Sequence, residues 1–146
     1  MGITSAVCNS FKQEILEAEH NFTASSGNTF NLALYDSGAD LSKTTTAYTS
    51  SEEITNTSGS AYSAKGNALT SVTPVLDSDT AVCDFADTSW TSASFTARGC
   101  LIFNDSHASD ASVCAIDFGG DKTVTSGTFT VEFPAAAAST AIIQLA

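Results

Sequence analysis

The stretch from Thr80 to Phe133, TAVCDFADTSWTSASFTARGCLIFNDSHASDASVCAIDFGGDKTVTSGTFTVEF, leaves the chain little choice but to build sheets. It holds six of the nine Phe and the only Trp. From Thr128 to Phe133 the alternation is unbroken: Phe129, Val131 and Phe133 point one way, Thr128, Thr130 and Glu132 the other. A period of two marks a half-buried strand, because successive side chains leave a strand on opposite faces. Cys100 to Phe103 and Val113 to Ile116 are short apolar runs, suited to strands covered on both faces. At least four adjacent strands are expected here, and the rest of the chain must complete their sheets.

Elsewhere the pattern changes once. Ile3, Val7, Phe11 and Ile15 recur every four residues, which predicts an amphipathic helix from Ile3 to about His20, capped by Thr4 or Ser5. Its stripe, with Cys8 and Leu16 beside it, either packs on the β domain or docks on a neighbouring subunit; Phe22 is the one large apolar residue of the polar turn region Asn21 to Asn28 that follows. Thr29 to Tyr35 reads as a strand ended by the turn residues Asp36-Ser37-Gly38. Ala39 to Asn67 is rich in Ser, Thr and Gly, with Leu41, Tyr48, Ile54 and Tyr62 as spaced anchors. It reads as a loop with short edge strands, mobile or facing a partner.

Ala68 to Val75 is a weaker strand, placed at an edge by Pro74. Strands follow over Thr80 to Ala86, Trp90 to Ala97, Cys100 to Phe103, Val113 to Phe118, Lys122 to Thr125 and, after Gly127, Thr128 to Phe133. The expected turns are Asp77 to Asp79, Asp87 to Ser89, Asn104 to Asp110 and Gly119 to Asp121. The four Ala after Pro134 are too few to nucleate a helix, and Ile142, Ile143 and Leu145 make a closing strand. The expected fold is all-β: an antiparallel β-sandwich, immunoglobulin-like or jelly-roll-like, with one N-terminal α-helix. Residues 1–22 form the helix and arm, and 23–146 a single β domain.

Charge narrows the partners. The net charge is −11, and the five basic residues, Lys12, Lys43, Lys65, Arg98 and Lys122, are scattered. Nucleic acid needs clustered cations to neutralise phosphates, and anionic membranes need them too, so neither is an expected partner. Charged residues are only 14%, and Ser and Thr supply more than a quarter of the chain, so the surface is hydroxyl-rich. The N-terminus lacks a basic segment followed by a long apolar one, and no run approaches a membrane span. These features lead to the expectation of a chain folded in a cytoplasm.

Chemistry-bearing residues are thin. Cys8, Cys83, Cys100 and Cys114 form no CxxC pair, so they read as buried free thiols; Cys83–Cys100 or Cys100–Cys114 is the alternative bridge. His20 and His107 lack a nucleophile motif. Asp77, Asp79, Asp84 and Asp87, and likewise Asp105 and Asp110, could converge on calcium, but without EF-hand spacing they read as turn residues. No catalytic residue, metal or cofactor is therefore expected. Arg98, the only Arg, lies between apolar segments and needs a carboxylate, Asp84 or Asp117. Trp90 reads as core or as a sugar-stacking platform.

Three segments carry a resemblance: FNLALYDSGADLSKTTTAYTSSEEI, then VTPVLDSDTAVCDFADTSWTSASFTARGCLIFND, then AIDFGGDKTVTSGTFTVEFP. Together with the N-terminal MGITSAVCNSFKQEIL, they are similar to small structural proteins of tailed bacteriophages, over nearly the whole chain. The resemblance implies a virion protein and no catalytic residues. Beside the acidic β-rich composition, it leads to the expectation of a capsid decoration (cement) protein. Such a protein would be a homotrimer contacting the major capsid protein or other virion proteins, made in the bacterial host cytoplasm. Val7, Phe11, Ile15, Phe22, Tyr48 and Tyr62 are the candidate contacts to sister subunits or shell. One alternative is a tail or fibre component that binds host glycans through exposed Trp90, Tyr48 or Tyr62; the other is a small hydrolase or metal-dependent module, which would need a His and carboxylates converging in a pocket.

Overall fold

The computed structural model describes residues 2–55 and 61–146. Its elements are β1 (Ala6–Val7), α1 (Asn9–Leu16), β2 (Phe30–Tyr35), β3 (Asn67–Ala68), β4 (Ser71–Asp77), β5 (Thr80–Phe85), β6 (Thr88–Asn104), β7 (Ala111–Val131) and β8 (Ile143–Leu145). The fold is all-β, with two antiparallel sheets and one short N-terminal helix. The larger sheet has the order β1-β7-β6-β2-β3, the smaller β4-β5-β8.

One long hairpin dominates. β6 and β7, 17 and 21 residues long, pair from Thr88↔Val131 to Asn104↔Ala111, joined through the polar 105–110 turn. Here the structure corrects the expected segmentation. Arg98-Gly99 does not separate two strands, and Gly119-Gly120-Asp121 is not a turn. Gly99 sits in the ladder between Tyr35 and Asp117, where a methyl group would strike the Ile116 carbonyl and Ile3. The glycine thus permits close packing inside a strand. Register shifts between Trp90 and Phe95, between Ala97 and Gly99, and between Ile102 and Phe103 absorb the irregular residues.

β2 lies along the other side of β6, Phe30↔Asn104 to Tyr35↔Gly99. All six of its residues are buried. On one face Phe30, Leu32 and Leu34 join the main core; on the other Ala33 and Tyr35 join a second cluster with Ile3, Leu41, Leu101 and Phe103. The main core ties the sheets together through aromatic rings. Phe22 stacks on Phe30 at 4.2 Å, and Phe85 from the small sheet lies 5.9 Å from Phe30.

The N-terminal helix is shorter than its stripe predicts, eight residues rather than most of Ile3 to His20. Ile3 bridges Leu41, and Ala6 and Val7 pair with Ala115 and Cys114, so this segment is drawn into the sheet. Sheet pairing at the edge of β7 satisfies backbone groups that a first helical turn leaves open. Cys8, and not Thr4 or Ser5, stands at the N-cap, and its own N–H donates to the Val113 carbonyl. Ala18, at a φ of 60°, ends the helical path. The arm is integral to the core, since Cys8, Phe11 and Phe22 are all buried in it. The segment expected as one strand from Ala68 to Val75 is split: β3 belongs to the large sheet and β4 to an edge of the small one.

Candidate functional site

Three of the candidate contact residues are inside. Phe11 is 2% exposed, Phe22 6% and Tyr62 0%, so none can meet another protein without unfolding its surroundings. Their aromatic area fills the space between sheets, where burial gains more than it would at an exposed edge. Val7, Ile15 and Tyr48 are half-buried. Trp90 is 2% exposed and packs against Tyr62 at 5.7 Å. Trp90 and Tyr62 therefore form no sugar platform, and the hydroxyl of Tyr48 is engaged internally.

That engagement centres on a residue that no motif or spacing singles out. Glu53 is buried at 8% exposure, and three donors converge on its carboxylate. Tyr48 and Tyr62 donate their hydroxyls to Oε2 and Oε1, each at 2.6 Å, and the Lys65 backbone N–H reaches Oε1 at 2.7 Å. The Tyr62 oxygen in turn accepts the Leu34 N–H at 3.0 Å. Burial, then the bond to the carboxylate, pushes the Tyr48 phenol up to about 12, and the same causes raise Tyr62. The network clamps the loop over β2. The expected mobile or partner-facing loop is thus pinned by Leu41, Ile54, Tyr62 and Glu53, all buried; its 56–60 portion lies outside the described residues. The spaced anchors Leu41, Tyr48, Ile54 and Tyr62 hinted at this from the sequence, and Glu53 did not.

Two of the scattered cations, Arg98 and Lys65, find carboxylates. Arg98 Nε donates to Asp117 Oδ1 at 3.0 Å, with Asp121 at 3.7 Å from its Nη1. Asp84 is not its partner; that carboxylate accepts the Phe85 N–H. The Gly119 N–H, then Arg98, hold Asp117 below the usual carboxylate range. The pair is partly exposed and orders the surface of the hairpin rather than the core. Asp105 and Asp110 do converge, on an ammonium: Lys65 Nζ lies 2.9 Å from each. Asp77 and Asp87 accept the N–H groups of Ala138 and Phe133.

His20 is spent in the same inward way. Its Nε2 lies 2.7 Å from Glu14 Oε2, and Asn104 Nδ2 lies 3.1 Å from its Nδ1. The Ser106 N–H donates to Asn104 Oδ1, which fixes the amide. Asn104 Nδ2 must therefore donate to Nδ1, and the imidazole proton sits on Nε2, aimed at Glu14. Both ring nitrogens are occupied, which leaves neither to activate a nucleophile. His107 accepts the Ser109 N–H at Nδ1 and faces Glu19 across 3.5 Å at Nε2. All four cysteines are free, and neither alternative bridge forms. Burial pushes Cys83 up to about 11 and Cys114 to about 12, far from a reactive thiolate.

The outward-facing apolar surface lies elsewhere. Leu76 pairs with Ala81, and Ala81 with Leu145, so these three form a row across one face of the small sheet. Leu76 is 74% exposed and Leu145 56%. The row borders a groove of about 410 Å³ whose walls include Ile15 and Phe22 on one side and Pro74, Ala81, Cys83 and Ile143 on the other. Leu16, next to Ile15, stands out at 88% exposure. Ile15 is the one residue of the helical stripe that serves this surface. The other members were missed because three short strands supply two apiece, Pro74 and Leu76, Ala81 and Cys83, Ile143 and Leu145, too few for a local pattern to mark a shared surface.

No family model matches the chain, and neither the curated proteins nor the solved structures contain a match.

Proposed function

We propose that this chain is a structural protein of a tailed-phage virion, and within that class a capsid decoration protein that reinforces the head lattice as a homotrimer. The observation that carries the reading is the disposal of its functional groups. The clusters around Glu53, His20, Lys65 and Arg98 are closed on internal partners. Large apolar side chains meanwhile stand in solvent on the small sheet and at the end of α1. Such a protein is fitted for contact rather than reaction. The resemblance of its sequence segments to phage structural proteins points the same way, and the excess of carboxylates would keep a densely coated head soluble.

Quantitative mass spectrometry of purified virions tests this. Decoration predicts copies in the hundreds, in fixed ratio to the major capsid protein, and density on the head by cryo-electron microscopy. A handful of copies at the tail would replace decoration by a fibre role. Absence from the particle would remove the virion reading altogether.

A further inference from the structure

The small sheet has two edges, and they are finished differently. β4 is blunted in three ways. Pro74 offers no N–H, the register slips between Val72 and Val75, and the Thr73 hydroxyl accepts the Ala24 N–H. Proline, bulges and covering loops are how proteins keep an edge strand from pairing with another chain. β8 has neither a proline nor a register slip. Ile143, Gln144 and Leu145 pair with β5 on one side and with no strand of the described residues on the other, and they include no proline and no charge. Leu145 also ends the exposed Leu76–Ala81–Leu145 row, so apolar surface runs up to the unguarded edge.

Charge indicates what fits there. The chain carries 16 acidic residues against 5 basic ones, yet Phe133 to Ala146 has no charged side chain. Asp87 and Asp77 reach this segment only at Phe133 and Ala138, ahead of the strand, so Ile143 to Leu145 offer the lysines of a basic partner no carboxylate of their own. Two copies of an acidic protein repel through most approaches, and a charge-free segment lets them meet without setting carboxylates against each other.

We propose that the β8 edge, with Leu76 and Leu145 beside it, is the contact through which one copy of this chain docks on a second. The proposal deepens the decoration reading and rests on its premise that the protein works as assembled copies. The free backbone groups of β8 would extend the hydrogen-bond ladder into the neighbour, and the leucines would form the apolar centre of the contact. In a two-fold assembly β8 meets β8; in a three-fold ring it meets the apolar row of the next copy.

Light scattering of the full chain at tens of micromolar tests the contact. The wild-type mass should be two- or threefold that of the monomer. Leu145→Lys, which sets a charge on the edge, should return it to one chain. Val75→Lys, at a similarly exposed site (54%) on the opposite face beside Val82, should leave the mass unchanged. Hydrogen exchange of the wild type needs no variant to fold: amides of Ile143 to Leu145 should slow as concentration rises. A monomeric wild type with concentration-independent exchange overturns the proposal. So does a Leu145→Lys chain that keeps the wild-type mass, or equal loss of assembly in both variants. A monomer abundant on phage heads would sink this contact and leave decoration standing. An oligomer missing from virions would do the reverse.

Discussion

A buried carboxylate is costly unless its lone pairs are used, and Glu53 uses them on two phenols and a backbone N–H. Tyr62 is the pivot, because its one oxygen both donates to Glu53 and accepts from Leu34. Tyr62→Phe keeps the ring but leaves a buried N–H and a buried carboxylate oxygen each short of a partner. We expect a loss of about 1–3 kcal/mol, more than a net hydrogen bond is worth, since unmade buried bonds carry the desolvation cost. Tyr48→Phe should cost less, because Tyr48 is half-buried and water can replace its hydroxyl. Urea unfolding of the two variants checks the order; midpoints equal to that of the wild type would show that the Glu53 network does not bear on stability.

At the scale of elements, the joint between the loop and the sheet depends on Gly66. It adopts a φ of +65°, and a methyl group there would run into the Leu32 carbonyl, as β3 closes on β2. A positive φ is strained for any residue with a Cβ, and here the backbone contact adds to it. Gly66→Ala should therefore lower the melting temperature, whereas alanine at Gly120, which has open space around it, should move it far less. Thermal unfolding followed by circular dichroism makes the comparison. The elements most legible in the sequence were those with a strong local pattern, such as β2, β5 and the Thr128 to Val131 part of β7. The helix was overextended because its apolar spacing continued through Ile3 and Val7, and spacing alone does not reveal that a sheet edge is near enough to capture them. The unity of β6 was hidden by Arg98-Gly99, since punctuation residues inside a long strand look the same as turns in one dimension.

The whole molecule should respond to alkali in a set direction. Burial raises Cys83 from 9.0 to about 11 and Cys114 to about 12, and raises Cys8 and Cys100 as well. A thiol whose proton is held by the fold contributes stability that is complete below its unfolded pKa. That contribution is lost as pH rises toward the folded value, because the unfolded chain ionises first. The guanidinium midpoint should hold steady from about pH 7 to about pH 8 and fall as pH climbs through the thiol range toward 11. A midpoint that rises with alkali would contradict the burial of these thiols. At neutral pH a disulfide reagent should modify half-buried Cys83 ahead of the other three.

By itself the sequence determined the class of fold, because strand alternation, turn residues and hydroxyl-rich faces act over a few neighbouring residues. It also determined that Arg98 needed a carboxylate, since a lone cation between apolar segments leaves little choice. Only the tertiary structure decided that the carboxylate was Asp117, that Phe11, Phe22 and Tyr62 belong to the interior, and that Glu53 closes a loop. The same holds for the exposed row of Leu76, Ala81 and Leu145, three strands brought together from distant parts of the chain. Those outcomes depend on which surfaces meet once the sheets pack, and contacts between remote segments leave no periodic mark on the chain that makes them.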